Sequence, residues 1–556
     1  MDIGGDGMKK QILVIGGGLA GIRAATTASR QGEDVSVKLF TREEVISFGR
    51  YELPLLAEFH DDVDILIEQD RERLKEMADI DIFYHNEVLS IHTNEKSILV
   101  NDMDTNQEIA YEYDSLIICT GTTMPIPALE GIHLKDIFFL NTLEDAVSIG
   151  RFLKNNIVRK TVVSGGGIAG IQMLEQLWHM DIAVILVDAA KHILPELDVE
   201  VADLVKKSLE EKSIEILTEE KILTLIGNLK GEVVEVHTLN HILPVNLVVW
   251  TSKPMPEVLL AKEAGIDTGV TGAINVNELL ETNMPSIYSA GDCTEISHML
   301  TKAPIWNPTR SCAINMGSIA GLNASQEQRK ESYKEALGTF SIYLFDLIVS
   351  KTGLSFHEAK ENGYDPVMVL VPIIDQAVHD ELIIMLIADR KTRRLLGLQS
   401  IGGDKAEKVV DIAATAISMG AGIDDFNGMD LSNSLIHSSS HHPIVRAAQV
   451  LINKLDGRLE GISPAQLSEL MEDPQFVLID LRTTAEVMLG TIPQAKHIPF
   501  DELNARMNEI NLEKRIVLIC KDGRKAYNAY CFLKRSGYEN VSILDGGIAS
   551  YPYKLV

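Results

Sequence analysis

Apolar and polar positions along this chain follow a strand–helix rhythm that breaks at clusters of glycine. A short apolar run, Ile12 to Ile15, stops at Gly16, Gly17 and Gly18 and gives way to helix-spaced apolar positions through Ala25. A continuous apolar run of that length, bounded by glycine, predicts a parallel strand buried on both faces, and the segment after it predicts a helix packed on that strand. Val35–Phe40 reads as the next strand, and Leu116–Met124 as a strand running into a Thr-Gly turn. The rhythm restarts with a strand at Thr161–Ser164, a second glycine cluster, a helix, and a strand at Ile182–Val187. Ile287–Ala290 reads as a further strand that delivers Gly291 and Asp292 to a turn, and Arg310–Asn323 has helical spacing. From about Gly338 the pattern changes to strands at Phe340–Val349, Val367–Pro372, Leu382–Ala388 and Leu395–Gly402, with a helix near Ala406–Ser418. That mixture predicts an α+β domain with an antiparallel sheet. Beyond the polar, glycine-bearing segment Asp456–Ser463, buried strands return at Val477–Ile479 and Arg515–Cys520, the second followed by a helix through Leu533.

The two glycine clusters carry the first chemistry. Gly16, Gly18 and Gly21 are spaced as a tight turn, a close backbone approach to a pyrophosphate, and a contact of helix with strand. The helix that follows offers its free N–H groups and positive dipole end to phosphate. This predicts the ADP-binding loop of a flavin. Gly165, Gly167 and Gly170 repeat the spacing, and the next strand ends at Asp188, just over twenty residues after the first of them. A carboxylate there accepts both hydroxyls of an adenosine ribose and repels a 2′-phosphate, which favours NADH over NADPH. The order of these pieces resembles the two-dinucleotide flavoproteins. In that plan Thr120 and Gly121 mark the crossing between the two nucleotide domains, and Asp292 after Gly291 bonds the ribityl and pyrophosphate part of FAD. The helix at Arg310 then points its N-terminal end toward the flavin ring. The acidic residue normally found at the end of the second strand is replaced by Thr41, leaving Glu43 or Glu44 to substitute.

Composition narrows the class. At 556 residues the chain holds three or four domains. A formal charge of −29 argues against a general nucleic-acid or anionic-membrane surface. No apolar run reaches transmembrane length, and the opening MDIGGDGMKK, in which Met8 is an alternative start, has no signal-peptide core. Five scattered cysteines without a C-x-x-C pair fit a reducing cytoplasm. His437, His441 and His442 lie around a serine run, but no cysteine or carboxylate completes a metal set there, so loop solvation or helix capping is the better reading. Cys119, Cys293 and Cys312 read as packing near the flavin, Cys312 being nearest the ring by its place on the helix.

Cys520 is different. It ends a buried strand and opens the loop KDGRKAY, at a helix N-terminus beside Lys521, Arg524 and Lys525. Loop N–H groups, the helix dipole and three cations each stabilise a thiolate or persulfide anion, which predicts a lowered thiol pKa and appreciable ionisation at neutral pH. The whole unit resembles a rhodanese domain, on Asp480-Leu481-Arg482, on Gly490–Ala495, on the Cys520–Gly523 loop and on Asp545-Gly546-Gly547. The resemblance makes Cys520 the carrier of sulfane sulfur, with Arg524 and Lys525 as its cationic neighbours. Lys525 stands where many members have arginine at the sixth loop position. The charge is kept but bidentate oxyanion recognition is weakened, which argues against thiosulfate as donor.

End to end, the chain resembles the fused CoA-disulfide reductase–rhodanese proteins, also called NADH-dependent persulfide reductases. The resemblance implies an α/β protein with two Rossmann-like dinucleotide-binding domains, an α+β dimerisation domain and a C-terminal rhodanese-like α/β domain. The expected boundaries are FAD binding at 8–124 and 253–330, NADH binding at 125–252, dimerisation at 331–455 and rhodanese at 463–556. The implied cofactors are FAD and NADH, and the implied assembly a cytoplasmic homodimer. The family carries S-F-x-x-C-G-x-P after the second strand, its cysteine attacking the sulfur substrate. This chain has Ser47-Phe48-Gly49-Arg50-Tyr51-Glu52-Leu53-Pro54, with Tyr51 at the cysteine position. Tyrosine forms neither a mixed disulfide nor a thiolate–flavin charge-transfer pair. The nearest counterpart of one substrate-side tyrosine of the family is His437, and Pro372–Leu382 lacks the other, so CoA disulfide is unsupported. Three readings follow: reduction of sulfur carried by Cys520, delivery of electrons to a partner redox protein, and a binding subunit without catalysis. Asp188, Asp292 and both glycine loops favour the first two. The first of these, with a small-molecule sulfur acceptor, is the expectation taken forward.

Overall fold

The computed structural model describes residues 9–32, 34–43, 53–58, 79–251, 254–326, 328, 330–375, 380–432 and 441–556. The chain divides into two compact units, Met1–Ala189 with Glu219–Ala336, and Ala190–Thr218 with Leu337–Val556.

The first unit holds two parallel sheets. It opens with β1 (Lys10–Ile15), α1 (Leu19–Ser29), β2 (Val35–Phe40), β3 (Asp81–Phe83) and β4 (Ser115–Ile118). The second set is β5 (Ile137–Phe139), β6 (Lys160–Ser164), α2 (Ile168–His179), β7 (Ala183–Val187) and β8 (Leu247–Trp250). The chain then returns through β9 (Ile287–Ser289) to the edge of the first sheet, giving the order β9-β4-β1-β2-β3. Four successive strands of the second sheet run β7-β6-β8-β5. In both sheets the strand carrying the glycine cluster lies between parallel neighbours, which explains its unbroken apolar run. Helix α3 (Arg310–Ser325) crosses α1 at close range. A Cβ on Gly317 would stand 2.3 Å from the Ala20 carbonyl oxygen, and one on Gly321 2.3 Å from that of Ala24. Two glycines four residues apart thus open the groove that admits α1.

The second unit begins its sheet with a hairpin. β10 (Phe340–Leu344) and β11 (Leu347–Gly353) pair antiparallel where the sequence pattern predicts one strand over Phe340–Val349. The reversal passes through Phe345, at φ +53°, and Asp346. A single charged residue inside an apolar run leaves no period-based signal for this turn. β12 (Pro366–Asp375), β13 (Asp380–Asp389) and β14 (Leu395–Gly402) complete the antiparallel order β10-β11-β14-β13-β12, covered by α4 (Lys405–Ser418). Asp198, from the inserted stretch, accepts hydrogen bonds from Gln399 Nε2 (2.6 Å) and the Phe356 amide (2.7 Å), which fixes that stretch on the sheet.

Helix α5 (Pro443–Leu455) comes next, its first turn capped by His442, whose Nδ1 accepts from the Ile444 amide (3.4 Å). The final parallel sheet has β15 (Gly461–Ile462), β16 (Phe476–Asp480), β17 (Lys496–His497), β18 (Arg515–Ile519), α6 (Arg524–Arg535) and β19 (Val541–Leu544), in the order β15-β19-β18-β16-β17. Asp480 and Arg482 form a buried two-pronged ion pair, 2.7 Å at its shortest, and Thr491 and the Gly490 carbonyl complete it. Their role is to pin the loop after β16. Lys454 of α5 reaches Asp545, at the end of β19, at 2.6 Å and also donates to the Met368 carbonyl (2.9 Å).

Asp545 is buried, so removing its partner strands a carboxylate without a counter-charge. Lys454→Ala is expected to lower stability by about 3–5 kcal/mol, whereas Lys454→Met with Asp545→Leu is expected to recover most of the loss. Chemical denaturation of the four combinations measures both values.

Candidate functional site

Three loops of the first unit meet around one cavity of about 650 Å³. Gly16 adopts φ +106°, and a Cβ there would lie 2.1 Å from the Cys119 carbonyl oxygen. A Cβ on Gly21 would lie 1.9 Å from the Gly16 carbonyl oxygen, so α1 can seat on β1 only with glycine at both positions. Gly18 is the N-cap of α1, with no side chain capping the helix, and the place its Cβ would occupy has nothing within 4 Å. The first-turn amides of α1 therefore face open space on the cavity side. Gly121 (φ +73°) accepts at its carbonyl from the Glu257 amide, while Thr120 Oγ1 donates to the Glu257 carbonyl (2.6 Å). This makes the crossing turn predicted at that pair. Gly291 (φ +87°) brings the end of β9 within 2.7 Å of Ala20 Cβ, measured from its absent Cβ, and Asp292 follows on the cavity wall. The Asp292 carbonyl accepts from Trp306 Nε1 (2.6 Å).

Thr41 is buried and Glu43 lies on the cavity wall, its amide donating to Thr41 Oγ1 (3.2 Å). The protein around Glu43 raises its carboxyl pKa, against the attraction of Arg42. Of the two acids considered for the ribose contact, Glu43 thus faces the cavity, while Glu44 lies outside the described residues. Two buried polar atoms in the same wall, Asn141 Oδ1 and Thr309 Oγ1, have no hydrogen-bond partner among the described residues. Orphaned polar atoms, uncapped amides and a glycine opening onto space are what a bound dinucleotide would satisfy. The residues present fit FAD. The sequence signal missed Asn141 and Thr309 because a lone polar residue in a loop carries no pattern.

The second loop repeats the construction. Gly165 stands at φ +114°, Gly167 caps α2 with open space beside it, and a Cβ on Gly170 would lie 1.9 Å from the Gly165 carbonyl oxygen. Asp188 ends β7 and accepts at Oδ2 from the Gly166 amide, which seats its carboxylate against the loop.

The three cysteines read as packing are buried. Cys119 forms the floor beneath Gly16 and Gly21, and burial raises its thiol pKa well above the usual range. Cys293 lies against Ser289 and Thr294. Cys312 accepts from Asn307 Nδ2 (3.1 Å) and packs into the core between α1 and α3, while Arg310 and Ala313 of the same helix line the cavity. Residues 47–52 of the Tyr51 segment and His437 lie outside the described residues, while Leu53 and Pro54 open a short helix, Leu53–Glu58, with Leu53 on the cavity wall.

In the second unit, Cys520 follows β18 and is 1% exposed. Its Sγ accepts from the Ala526 amide (3.3 Å), and the amides of Asp522 and Gly523 lie near enough to favour its anion. Gly523, at φ +85°, turns the chain so that these N–H groups converge. Gly547 braces the loop from behind, since a Cβ there would meet the Cys520 carbonyl oxygen at 2.4 Å. The predicted lowering of the thiol pKa is corrected: burial dominates and raises it, the loop amides oppose, and the Asp522 carboxylate raises it further. The cations do not reverse this because Arg524 is drawn to Asp522 at 2.6 Å, with its side chain 71% exposed. Lys525 acts on Glu486 on the other side of the loop. The anion cradle is present, but burial favours the neutral thiol.

A pyridine nucleotide-disulphide oxidoreductase model matches residues 10–312, the dimerisation-domain model of the same family matches 339–431, and a rhodanese-like domain model matches 463–552. The NAD(P)H coenzyme A polysulfide/persulfide reductase of Pyrococcus horikoshii is 28% identical over 452 residues, 80% of this chain and 99% of the relative. Reduced CoADR-RHD from Bacillus anthracis superposes with a TM-score of 0.89 at 28% identity over 99% of both chains. An NAD-dependent persulfide reductase from A. fulgidus gives 0.89 at 29% identity over 97% of this chain and 100% of its own.

The glycine geometry separates two kinds of damage. Gly21→Ala forces its Cβ into the Gly16 carbonyl and is expected to yield protein that neither retains flavin nor keeps its full unfolding temperature. Gly18→Ala has room and is expected to fold normally, with flavin affinity down on the order of tenfold because the methyl occupies the approach to the α1 amides. Flavin-to-protein ratios and thermal unfolding of the two variants distinguish the outcomes.

Proposed function

The chain belongs to the pyridine nucleotide-disulphide oxidoreductase family, and from that premise we propose that it is an FAD-dependent oxidoreductase that uses NADH to reduce sulfane sulfur held on Cys520. The observation that carries this reading is the coexistence, in one chain, of a cofactor cavity with orphaned polar atoms and a thiol set in a ring of amides. Bound in the cavity, FAD would supply two-electron chemistry between NADH and sulfur. The chain's own residues do the rest. The uncapped amides of α1 at Gly18 hold the pyrophosphate, Glu43 accepts the ribose hydroxyls in place of the missing residue at Thr41, and Asp292 holds the ribityl side. Gly165, Gly167 and Gly170 seat the nicotinamide dinucleotide, and Asp188 accepts the hydroxyls of its adenosine ribose.

At Cys520 the amides of Asp522, Gly523 and Ala526 favour an anion, and a persulfide, being more acidic than a thiol, presents one. The net reaction is NADH + Cys520–S–S⁻ + H⁺ → NAD⁺ + Cys520–SH + HS⁻. The sulfur–sulfur bond breaks, the outer sulfur leaves as hydrosulfide, and the raised pKa of Cys520 leaves the product as a neutral thiol. Tyr51 at the family's cysteine position means that no thiol of that segment takes part. The dimerisation model at 339–431 supports a homodimer, the free cysteines support a cytoplasmic setting, and no helix among the described residues is long and apolar enough to cross a membrane. Domain limits at 124, 252, 330 and 455 are proposed as read from the sequence. Tyr51 also supports a second reading, in which electrons leave to a partner redox protein and the rhodanese-like unit docks it.

Anaerobic titration with NADH is expected to reduce the flavin without a long-wavelength thiolate–flavin band, and addition of a persulfide donor to release sulfide. Cys520→Ser should abolish that sulfide while leaving flavin reduction intact. Equal sulfide from both proteins would remove Cys520 from the reaction and favour the partner route.

Asp188→Ser is expected to lower the ratio of kcat/KM for NADH over NADPH on the order of tenfold, read from initial rates of flavin reduction. Because burial raises the Cys520 thiol, its alkylation rate is expected to climb with pH through a midpoint above that of a free thiol, about 8.5.

A further inference from the structure

We infer that the helix Val199–Glu211 couples the nucleotide loop at Asp188 to the sulfur state of Cys520, so that loading sulfur at Cys520 changes nucleotide affinity. The inference rests on Asp188 being the ribose carboxylate and Cys520 the sulfur carrier. Asp188 ends β7 and holds the Gly166 amide, while its carbonyl accepts from the Glu220 amide (2.9 Å). The stretch Ala190–Thr218, which belongs to the second unit, therefore leaves the first unit and re-enters it beside the residue that would meet the nucleotide. A displacement of this stretch pulls on the backbone at Asp188 from both of its ends.

Within the second unit the helix is fastened at both ends. At its start the Asp198 carboxylate takes Gln399 Nε2 and the Phe356 amide, and the Asp198 amide donates to Gln399 Oε1 (2.9 Å). Just before it, the Glu196 carbonyl accepts from the buried Lys351 Nζ (2.6 Å). At its end Lys212 Nζ lies 4.6 Å from the Phe345 ring centroid and 3.9 Å from Asp346, across the hairpin turn. Val201, Ala202, Val205 and Leu209 are fully buried along it. Close-packed side chains of this kind let a helix shift only together with its neighbours.

From the middle of this helix a run of hydrogen bonds leads to Cys520. Lys207 Nζ donates to the Tyr551 carbonyl (3.3 Å). The Tyr551 amide donates to the Ile548 carbonyl (3.1 Å), and the Ile548 amide to the Cys520 carbonyl (2.9 Å). Beside it the Ala549 amide donates to the Lys521 carbonyl (3.0 Å). The turn Gly547–Ser550 thus meets the Cys520 loop backbone to backbone, and a Cβ on Gly547 would lie 2.4 Å from the Cys520 carbonyl oxygen, so no side chain lies between to absorb a shift. Loading by an organic persulfide, RS–SH + Cys520–SH → Cys520–S–SH + RSH, forms one sulfur–sulfur bond, breaks another and leaves the proton on the departing thiol. Ionisation of the product then adds a charge among the loop amides. The Asp522 amide is one of those that favour an anion there, and it shares a peptide plane with the Lys521 carbonyl. Turning that amide toward the new charge tilts the oxygen that Ala549 holds, and the tilt passes through Tyr551 and Lys207 to the helix. By linkage, nucleotide bound at Asp188 shifts the equilibrium of loading by the same factor.

The test uses the full flavin-loaded chain and NAD⁺, which binds without reducing the flavin. Anaerobic titration calorimetry gives the Kd for NAD⁺ before and after loading with the persulfide of 2-mercaptoethanol, and the mass of the Cys520 peptide reports the added sulfur. Loading is expected to change the Kd about fivefold in wild type. Lys207→Met is expected to bind NAD⁺ as wild type does in the thiol form and to reduce the change on loading to under about twofold. Insertion of two glycines after Ala190 slackens the connection to Asp188 and should do the same, and it carries the test if Lys207→Met does not fold. A loaded Cys520 with unchanged Kd, or a change that survives both alterations, would overturn the inference. So would an equal change in Cys520→Ser treated with the same donor, since another thiol would then be responsible. Failure of the underlying readings looks different: no sulfur on the Cys520 peptide removes the carrier, no NAD⁺ binding by either form removes the nucleotide site, and the coupling falls with either.

Discussion

Close approach of a helix to the strand that precedes it is the constraint on which the first unit depends. In both glycine clusters the last glycine would place a Cβ 1.9 Å from the carbonyl oxygen of the first, so no other residue lets the helix sit there. The same approach aims the uncapped amides of α1 and α2 outward, which turns a packing requirement into an anion site. Gly317 and Gly321 extend the constraint, because α3 reaches α1 only where side chains are absent. The cavity is the space these contacts leave.

Much of this was legible in the sequence because glycine at a strand–helix junction has few other uses. The strands that carry Gly16, Gly165 and Cys520 fall where their apolar runs placed them, and Leu395–Gly402 matches to the residue. What stayed hidden has physical causes. The hairpin at Phe345 lies inside an apolar run whose one charged residue, Asp346, resembles an ordinary edge position. Asn141 and Thr309 matter because they are buried without partners, and burial of a single polar side chain is set by distant parts of the chain.

The thiol of Cys520 shows how a correct location can carry a wrong charge. Sequence shows the cations nearby, and it shows the helix N-terminus, both of which argue for ionisation. It does not show that the sulfur is almost wholly enclosed or that Asp522 engages Arg524. Desolvation acts on the charged form at the sulfur itself, whereas the lysines and arginine act at a distance and partly in solvent, so burial prevails.

The contact between Lys454 and Asp545 bears on how such a fusion persists. Only a few residues, 456–460, join α5 to the first strand of the final sheet, so the two surfaces meet at the high effective concentration of a short tether. Across the same surface Lys207 donates to the Tyr551 carbonyl (3.3 Å) and a Cβ on Gly546 would lie 3.4 Å from Leu370 Cβ, so α5 is one of several elements of the second unit against which the final sheet packs. Recombination that exchanges the rhodanese-like unit between relatives has to carry α5 with it, and the unit of inheritance is longer than the fold it appears to contain.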